Sequence, residues 1–368
     1  MLCHTCGCTN VTVPRGVESD SQVDLTGCYT VDMHCHLFTP AVEALVADHP
    51  LKLCEAQDRL RLLGSESVRT NQAMYQTISK KLHDIDLRLA DMERLRIDLQ
   101  VLSPSPTQFY YWADEALSEE IVELQNEHIA SVCHNNPTRF AGLGAISLQY
   151  PELATRQLRG IQEKHGLLGV EISSDPTGNG LDDPLLEPFW TEAARRGLVI
   201  FLHPLGTSLG ERVNRYYLSN IIGQPLETTV ALGQMIYGGV FDRHPLLKVL
   251  AAHGGGFLPY YSGRFDHGYV VRPESRVNVQ APSKYLSRIF FDTVVYDHLT
   301  LRHLVDRVGI SQILAGTDYP FDMGEYQLHK LVGAVPEIDH KAGAAILGGN
   351  AMRLLGLTES QVPKGAAQ

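Results

Sequence analysis

Short β-branched or aliphatic runs alternate with longer amphipathic stretches along nearly the whole chain, and this alternation constrains the fold more than any other feature. Eight runs predict strands, at Cys28–Met33, Asp98–Ser103, Phe140–Ala145, Gly169–Ile172, Leu198–His203, Lys248–His253, Ile289–Asp292 and Gln312–Thr317. Such alternation is typical of βα units and a parallel sheet. Because no glycine-rich phosphate-binding turn follows the first run, we predict a closed (β/α)₈ TIM barrel rather than an open doubly wound sheet.

The 368 residues fit one barrel domain with three additions. We predict an N-terminal cysteine-containing extension at 1–28, a barrel at 29–356 and a C-terminal tail at 357–368. Within the barrel, the segment 37–97 after the first strand is too long for one crossover helix. Long insertions of this kind usually form a lid or a subdomain, so we expect it near the active-site mouth.

Charge and hydropathy exclude several classes of partner. Lys and Arg number 31 against 42 Asp and Glu, and the resulting net charge of −11 argues against binding to nucleic acid or to an anionic membrane surface. The chain has no apolar run of about 18 residues and no basic segment followed by an apolar one at its start. We therefore expect neither a membrane span nor a signal peptide, and we predict a cytoplasmic protein.

The seven cysteines are unevenly placed and odd in number, which argues against a disulfide framework. Cys3, Cys6 and Cys8 lie close together and could hold one soft metal ion with His4. No second ligand pair follows at zinc-finger spacing. We therefore predict a plain N-terminal extension, with a structural metal site as the alternative.

Histidines and an aspartate follow four of the predicted strands. The first run continues into His34 and His36, two residues apart, and in a strand such residues point to the same face. Later runs lead into His203, His253 and Asp318. Because the carboxyl ends of all strands in a parallel barrel meet at one face, we expect these side chains to lie close together.

Several imidazoles and one carboxylate suit Zn²⁺ or another borderline divalent ion, with a coordination position left for water or substrate. A single residue of this type could merely cap a loop. The four sites together predict a metal centre. We take His253, which precedes three glycines, as an acid–base group beside the ion rather than a ligand.

Taken in order, these residues resemble the second amidohydrolase family, and more closely its amino-carboxymuconate-semialdehyde decarboxylase group. The resemblance covers about Tyr29 to Leu355 and rests on the segments Asp32–His36, Met92–Pro106, His203–Pro204, His253–Asp266 and Gly316–Phe321. It implies an amidohydrolase-type barrel. It also implies that His253 is a general base or acid and that the metal ligands are His34, His36, His203 and Asp318.

The same resemblance implies two substrate-binding arginines and one metal ion per chain. Arg264 would clamp a substrate carboxylate across the interface of a homodimer or higher homo-oligomer, and Arg69 in the insertion would be a second clamp. Binuclear amidohydrolases have a bridging lysine at the end of the fourth strand, where this chain has Glu171. A single Zn²⁺, or alternatively Mn²⁺, is therefore expected.

The resemblance implies a non-oxidative decarboxylase of a small-molecule carboxylate in aromatic compound catabolism. The substrate would be a muconate-semialdehyde-like or hydroxybenzoate-like acid, and Asp318 or His253 would move the proton. Two alternatives stay open from the sequence. One is a metal-dependent hydrolase of a ring-cleavage product or lactone, and the other is a non-catalytic metal-binding scaffold.

Overall fold

Eight parallel strands form the centre of the described part of the molecule, as the alternation predicts. The computed structural model describes residues 22–357. Its strands are β1 Val31–Leu37, β2 Leu99–Pro104, β3 Phe140–Gly142, β4 Gly169–Ile172, β5 Val199–Leu202, β6 Lys248–Ala251, β7 Ile289–Asp292 and β8 Ile313–Leu314. The bounds predicted for the fourth and seventh strands are confirmed to the residue, while the others differ by a few residues at their ends.

The strands connect into a ring. Continuous parallel pairing gives two sheets, in the orders β1-β2-β3 and β4-β5-β6-β7-β8. Single bridges join the sheets at both seams, where Gly144 pairs with Val170 of β4 and Cys35 of β1 pairs with Tyr319 beyond β8. The arrangement is the predicted (β/α)₈ barrel, with two seams that are shorter than the other strand contacts.

Helices surround the strands. The α-helices of residues 22–357 are α1 Pro40–Val46, α2 Pro50–Ile78, α3 Ile85–Leu95, α4 Glu115–Asn135, α5 Pro151–Glu163, α6 Glu187–Arg196, α7 Gln224–Tyr237, α8 Val240–Arg243, α9 Leu258–Val271, α10 His298–Val308, α11 Leu328–Gly333, α12 His340–Ala344 and α13 Asn350–Leu355. The segment 37–97 contains α1, α2 and α3. Since α3 leads directly into β2, it occupies the place of the ordinary crossover helix, and α1 and α2 are the additional part. A kink at Gly64, where φ is 77°, divides α2.

The apolar core has two layers. Side chains such as Val199 and Phe201 of β5 and Leu250 of β6 fill the inside of the barrel. Residues of α13, among them Leu354, belong to the same inner cluster. A larger cluster lies between strands and helices and includes the fully buried Trp190, whose indole N–H donates to a backbone carbonyl. The inside of the barrel is therefore a packed core and not a pore.

One irregularity in β1 decides where the histidines of the first strand point. Val31 and Met33 pack in the inner cluster, so strict alternation would turn His34 away from it. The pairing of β1 with β2 shifts register between positions 32 and 35. The His34 ring then lies 4.9 Å from the Phe201 ring inside the barrel. This bulge-like shift re-aims the side chains that follow it.

The first described residues pack against the C-terminal helices. The backbone N–H of Val23 donates to the carbonyl of Gly333 at 2.9 Å, and Leu25 is buried in the outer core. Cys3, Cys6 and Cys8 lie outside the described residues, as does nearly all of the predicted tail. Between residues 22 and 357, no helix is long and apolar enough to cross a membrane. The cytoplasmic location stays a prediction.

Two glycine-to-alanine substitutions should have opposite effects on stability. A Cβ at Gly169 in β4 would collide with the carbonyl oxygen of Val199 in β5. We expect Gly169→Ala to destabilise the protein by about 1–3 kcal/mol or more, because the strands cannot separate without breaking their ladder. The melting temperature, measured by circular dichroism, checks this.

Gly160→Ala is the matched control. Gly160 lies in α5, and no atom is within 4 Å of an added Cβ. Because alanine is the better helix former by about 1 kcal/mol, the melting temperature should stay the same or rise. Equal destabilisation by both substitutions would contradict the assigned tight contact between β4 and β5.

Candidate metal centre

Four side chains from three parts of the barrel meet at its mouth. His34 and His36 come from β1, His203 follows β5 and Asp318 follows β8. One ligand atom from each of the four lies within 4.8 Å of the ligand atoms of the others. The Asp318 Oδ1 atom is 3.4 Å from His34 Nε2 and 3.3 Å from His36 Nε2. The sequence prediction that these residues converge is confirmed in space.

The nitrogens that face this centre have no hydrogen-bond partner. His34 Nε2, His36 Nε2 and His203 Nε2 are buried, and none has a hydrogen-bond partner among the described residues. Buried polar atoms without a partner are costly and usually mark a ligand or a functional group. Three unpartnered imidazole nitrogens that surround one carboxylate fit a divalent metal ion in donor type and number.

The charges of the centre shift the pKa values of its members in opposite directions. Burial opposes the charged form of His34, but the Asp318 carboxylate and the hydrogen bond to Asp292 outweigh it and raise the pKa to about 10. Burial and the neighbouring charges of His36 and His34 lower the pKa of His203. Although burial would raise the pKa of Asp318, the surrounding imidazoles hold it well below its usual range. A bound cation would displace protons from this cluster.

The Nδ1 atoms of the three candidate ligands face different acceptors. His34 Nδ1 lies 2.6 Å from the carboxylate of Asp292, and His36 Nδ1 lies 3.1 Å from the carbonyl oxygen of Pro104. Glu171 Oε1 lies 3.8 Å from His203 Nδ1, which is too far for a direct hydrogen bond. An acceptor at Nδ1 keeps the proton there and leaves Nε2 free to bind metal.

His253 lies beside the four candidate ligands. Its Nε2 atom is 3.7 Å from Asp318 Oδ2, and its Nδ1 atom has no hydrogen-bond partner in the described part of the chain. The residue has a φ of 54°, and the three glycines after it have φ values of 61°, 75° and 63°. These left-handed conformations suit glycine and let the backbone turn sharply after β6. The role of His253 as an acid–base group stays a proposal.

Neither predicted arginine contacts the centre. Arg69 is exposed on α2 and pairs with Glu66 at 2.6 Å. Arg264 is exposed on α9, and its side chain has no hydrogen bond or ion pair with another described residue. The neighbouring Asp266 instead accepts a hydrogen bond from the Ser283 backbone at 2.8 Å. The substrate-binding roles of both arginines stay predictions.

Aromatic side chains near the centre were not predicted from the sequence. The Phe321 ring lies 5.7 Å from the His36 ring and 6.3 Å from the Tyr75 ring of α2. Burial raises the pKa values of the Tyr217 and Tyr296 phenols. The negative charges of Asp322 and Asp318 raise the pKa of Tyr217 further, and that of Asp318 raises the pKa of Tyr296. These four side chains come from separate loops and from the insertion. No local sequence pattern links them, so only the fold reveals the group.

Comparisons with known proteins match most of the chain. A family model described as amidohydrolase matches residues 31–357. The chain is 38% identical over 285 residues to a 2-amino-3-carboxymuconate-6-semialdehyde decarboxylase of Dictyostelium discoideum, covering 77% of this chain and 79% of that protein. It is similar to the crystal structure of 5-carboxyvanillate decarboxylase from Sphingomonas paucimobilis, with a TM-score of 0.77, 26% identity, and coverage of 90% of this chain and 100% of the other.

A second solved structure shares the fold. It is a 5-carboxyvanillate decarboxylase from Novosphingobium aromaticivorans, complexed with manganese and 4-hydroxy-3-methoxy-5-nitrobenzoic acid. Its TM-score is 0.79 at 20% identity, and the match covers 92% of this chain and 99% of the other.

We expect the purified protein to hold about one divalent ion per chain at the barrel mouth, because residues 22–357 contain one complete ligand set and Glu171 stands where a bridging lysine would be. His203→Ala should lose most of its metal, whereas His253→Ala should retain it. Elemental analysis of the purified variants checks both expectations.

The fold should survive removal of the ion. A barrel of this size has a large core that does not depend on the metal, so a chelator should change the circular dichroism spectrum little. Two ions per chain at the barrel mouth, or His253→Ala purified without metal, would show that the ligand assignment is wrong.

Proposed function

This chain belongs to the amidohydrolase family, and from that premise we propose that it is a metal-dependent non-oxidative decarboxylase. The substrate would be a small carboxylate that resembles a carboxylated muconate semialdehyde or a hydroxybenzoate. The observation that carries the proposal is the position of His253, whose Nε2 atom lies 3.7 Å from Asp318 next to a complete set of candidate ligands. A site that only held metal would not need this further imidazole. The similarity to a named decarboxylase over 77% of the chain supports the same reaction class.

We propose Zn²⁺ as the resident ion, with Mn²⁺ as the alternative. Imidazoles with one carboxylate are a common ligand set for zinc, whereas manganese favours a larger share of oxygen ligands. The Novosphingobium neighbour contains manganese, which keeps that ion in consideration. When bound, either ion would polarise a substrate oxygen and offset the negative charge of the substrate.

We assign the proton transfer of the reaction to His253. Decarboxylation breaks the bond between the carboxyl carbon and its neighbour and leaves the electron pair on the neighbouring carbon, which must then gain a proton. Although burial opposes it, the charge of the imidazoles around Asp318 holds the pKa of this carboxyl well below its usual range, so Asp318 stays an ionised carboxylate that can bind metal and has no proton to donate. His253 is therefore the better proton donor, and Asp318 would orient its ring.

The aromatic side chains favour a flat, conjugated acid. Tyr75, Tyr217, Tyr296 and Phe321 lie around the centre, and aromatic rings pack well against planar conjugated groups. Both proposed substrate classes are planar around the carbon that loses carbon dioxide. The aromatic group therefore supports both classes and does not separate them.

Hydrolysis is the second candidate. The same ligand set and the same His253 could act on the carbonyl carbon of a lactone or ring-cleavage product. A non-catalytic metal-binding scaffold is the third. The two differ from a decarboxylase in their products, since only a decarboxylase releases carbon dioxide.

The proposed function is tested by product analysis. Metal-analysed enzyme is incubated anaerobically with a panel of carboxylated muconate semialdehydes and hydroxybenzoates, and carbon dioxide is measured. We expect release with at least one compound, and a loss of roughly 10² to 10⁴ in kcat for His253→Ala, the usual effect of removing an acid–base group. Hydrolysis without carbon dioxide would favour the second candidate, and no turnover of the panel or of lactones would favour the scaffold.

We further propose that Arg264 binds a substrate carboxylate across the interface of a homodimer or higher oligomer. The side chain is exposed and has no charge partner among the described residues, and the net charge of −11 makes a local cation necessary for an anionic substrate. Arg264→Ala should lower kcat/KM by an amount equivalent to about 2 to 4 kcal/mol. Arg272→Ala is the matched control, because Arg272 is exposed near the same helix and pairs with Glu274.

Mixed oligomers test whether the site is shared. Subunits with Arg264→Ala are combined with subunits inactivated by Asp318→Asn. Restored activity is expected if each site takes Arg264 from its neighbour. Activity that stays absent would make each site self-contained, and unchanged kinetics of Arg264→Ala would remove Arg264 from the substrate site.

A further inference from the structure

Asp292 is a fully buried carboxylate behind the metal centre, and no sequence pattern pointed to it. It is the last residue of β7, and its two oxygens accept four hydrogen bonds. Oδ2 lies 2.6 Å from His34 Nδ1 and accepts the backbone N–H of His253 at 2.9 Å. Oδ1 accepts the backbone N–H groups of Gly254 and Val294 at 2.8 and 3.1 Å. One carboxylate therefore contacts both a candidate metal ligand and the turn that carries the proposed acid–base residue.

The contact with His34 has no equivalent at the other two histidine ligands. His36 Nδ1 faces the Pro104 carbonyl oxygen, and His203 Nδ1 is 3.8 Å from Glu171. Asp292 is thus the one carboxylate of the described chain within hydrogen-bond distance of a candidate ligand's Nδ1 atom. Carboxylates at this position fix the tautomer and the ring orientation of a metal-binding histidine.

We propose that Asp292 is a positioning residue that sets the ring of His34 and the backbone of His253 together. As an acceptor at Nδ1, it keeps the His34 proton there and leaves Nε2 free, 3.4 Å from Asp318. His253 has a φ of 54°, which an L-residue rarely adopts, and the two N–H groups bound by Asp292 hold that turn in place. The importance of the His253 turn rests on the proposed function, whereas the effect on His34 does not.

Asp292→Asn is the informative substitution because it keeps the size of the side chain. An amide has one acceptor oxygen and one NH₂ group, which can only donate. If the NH₂ group faces His34, it cannot accept the proton that must stay on His34 Nδ1, and it also faces the backbone N–H of His253, which is another donor. If it faces the other way, it meets the N–H groups of Gly254 and Val294. Neither orientation satisfies all four donors, so either the histidine or the turn must move.

The first measurement is metal affinity. Apo-protein is titrated with Zn²⁺ in competition with a chromophoric chelator, and we expect Asp292→Asn to bind about 10- to 100-fold more weakly than the parent. Asp242→Asn is the matched control, because Asp242 also accepts a backbone N–H and a tyrosine hydroxyl but lies away from the centre, on α8. Asp242→Asn should bind Zn²⁺ like the parent, even if its melting temperature falls by as much as that of Asp292→Asn.

The second measurement is a crystal structure of the metal-loaded variant. We expect the turn at His253 or the ring of His34 to be displaced relative to the parent. The proposal would be overturned if Asp292→Asn bound Zn²⁺ as tightly as the parent, or if the Asp242→Asn control lost as much affinity. It would also be overturned if neither the turn nor the ring were displaced in the crystal structure. If Asp292→Asn does not fold, Asp292→Ser replaces it, since its hydroxyl still accepts one hydrogen bond. Neither measurement uses a substrate, so failure of the decarboxylation panel would overturn only the proposed function.

Discussion

The carboxylate of Asp318 is the group on which the rest of the centre depends. Imidazole nitrogens of His34, His36 and His253 lie 3.4, 3.3 and 3.7 Å from its oxygens, and the first two have no hydrogen-bond partner among the described residues. Burying so many polar groups is unfavourable unless charge compensates for it. The mutual attraction between this carboxylate and the imidazoles supplies part of that compensation, and a divalent ion fits the remainder. The surrounding contacts hold these side chains together despite the free-energy cost of burying them.

A second buried aspartate holds Asp318 in place by binding Thr317, the residue before it. Asp32 of β1 accepts hydrogen bonds from the backbone N–H and the hydroxyl of Thr317, at 2.9 and 2.6 Å. The Asp318 backbone N–H donates to the His34 carbonyl at 2.7 Å, although Asp318 itself has an unfavourable φ of 60°. A strained residue persists only where its surroundings determine its position. The seam between β1 and β8, which lacks a long ladder, is thus joined mainly by groups that also define the metal centre.

The sequence predicted the parts of the molecule that have local patterns. The alternation of strands and helices, and the placement of His203, His253 and Asp318 after strands, follow from periodicity and from the geometry of parallel barrels. The direction of His34 did not follow from alternation, because the register shift in β1 depends on pairing with β2. Asp292 and the aromatic group were also missed. Asp292 meets His34 across 258 positions of sequence, so no short motif could indicate the contact.

The insertion also takes part in the centre through Arg88 of α3. This arginine is fully buried, and it donates to the His36 carbonyl at 2.5 Å and to the Gln100 side chain at 3.1 Å. Its guanidinium lies 4.7 Å from the centre of the Tyr319 ring, just after Asp318. Gln100 in turn donates to Asp32 at 3.0 Å. A buried guanidinium needs acceptors, so the contacts of its terminal N–H groups with β1 and β2, and of its face with the Tyr319 ring, favour the observed position of α3. The crossover helix of the insertion therefore contacts the strands that carry the candidate metal ligands, and Tyr75 of the preceding helix approaches the centre from this part of the chain.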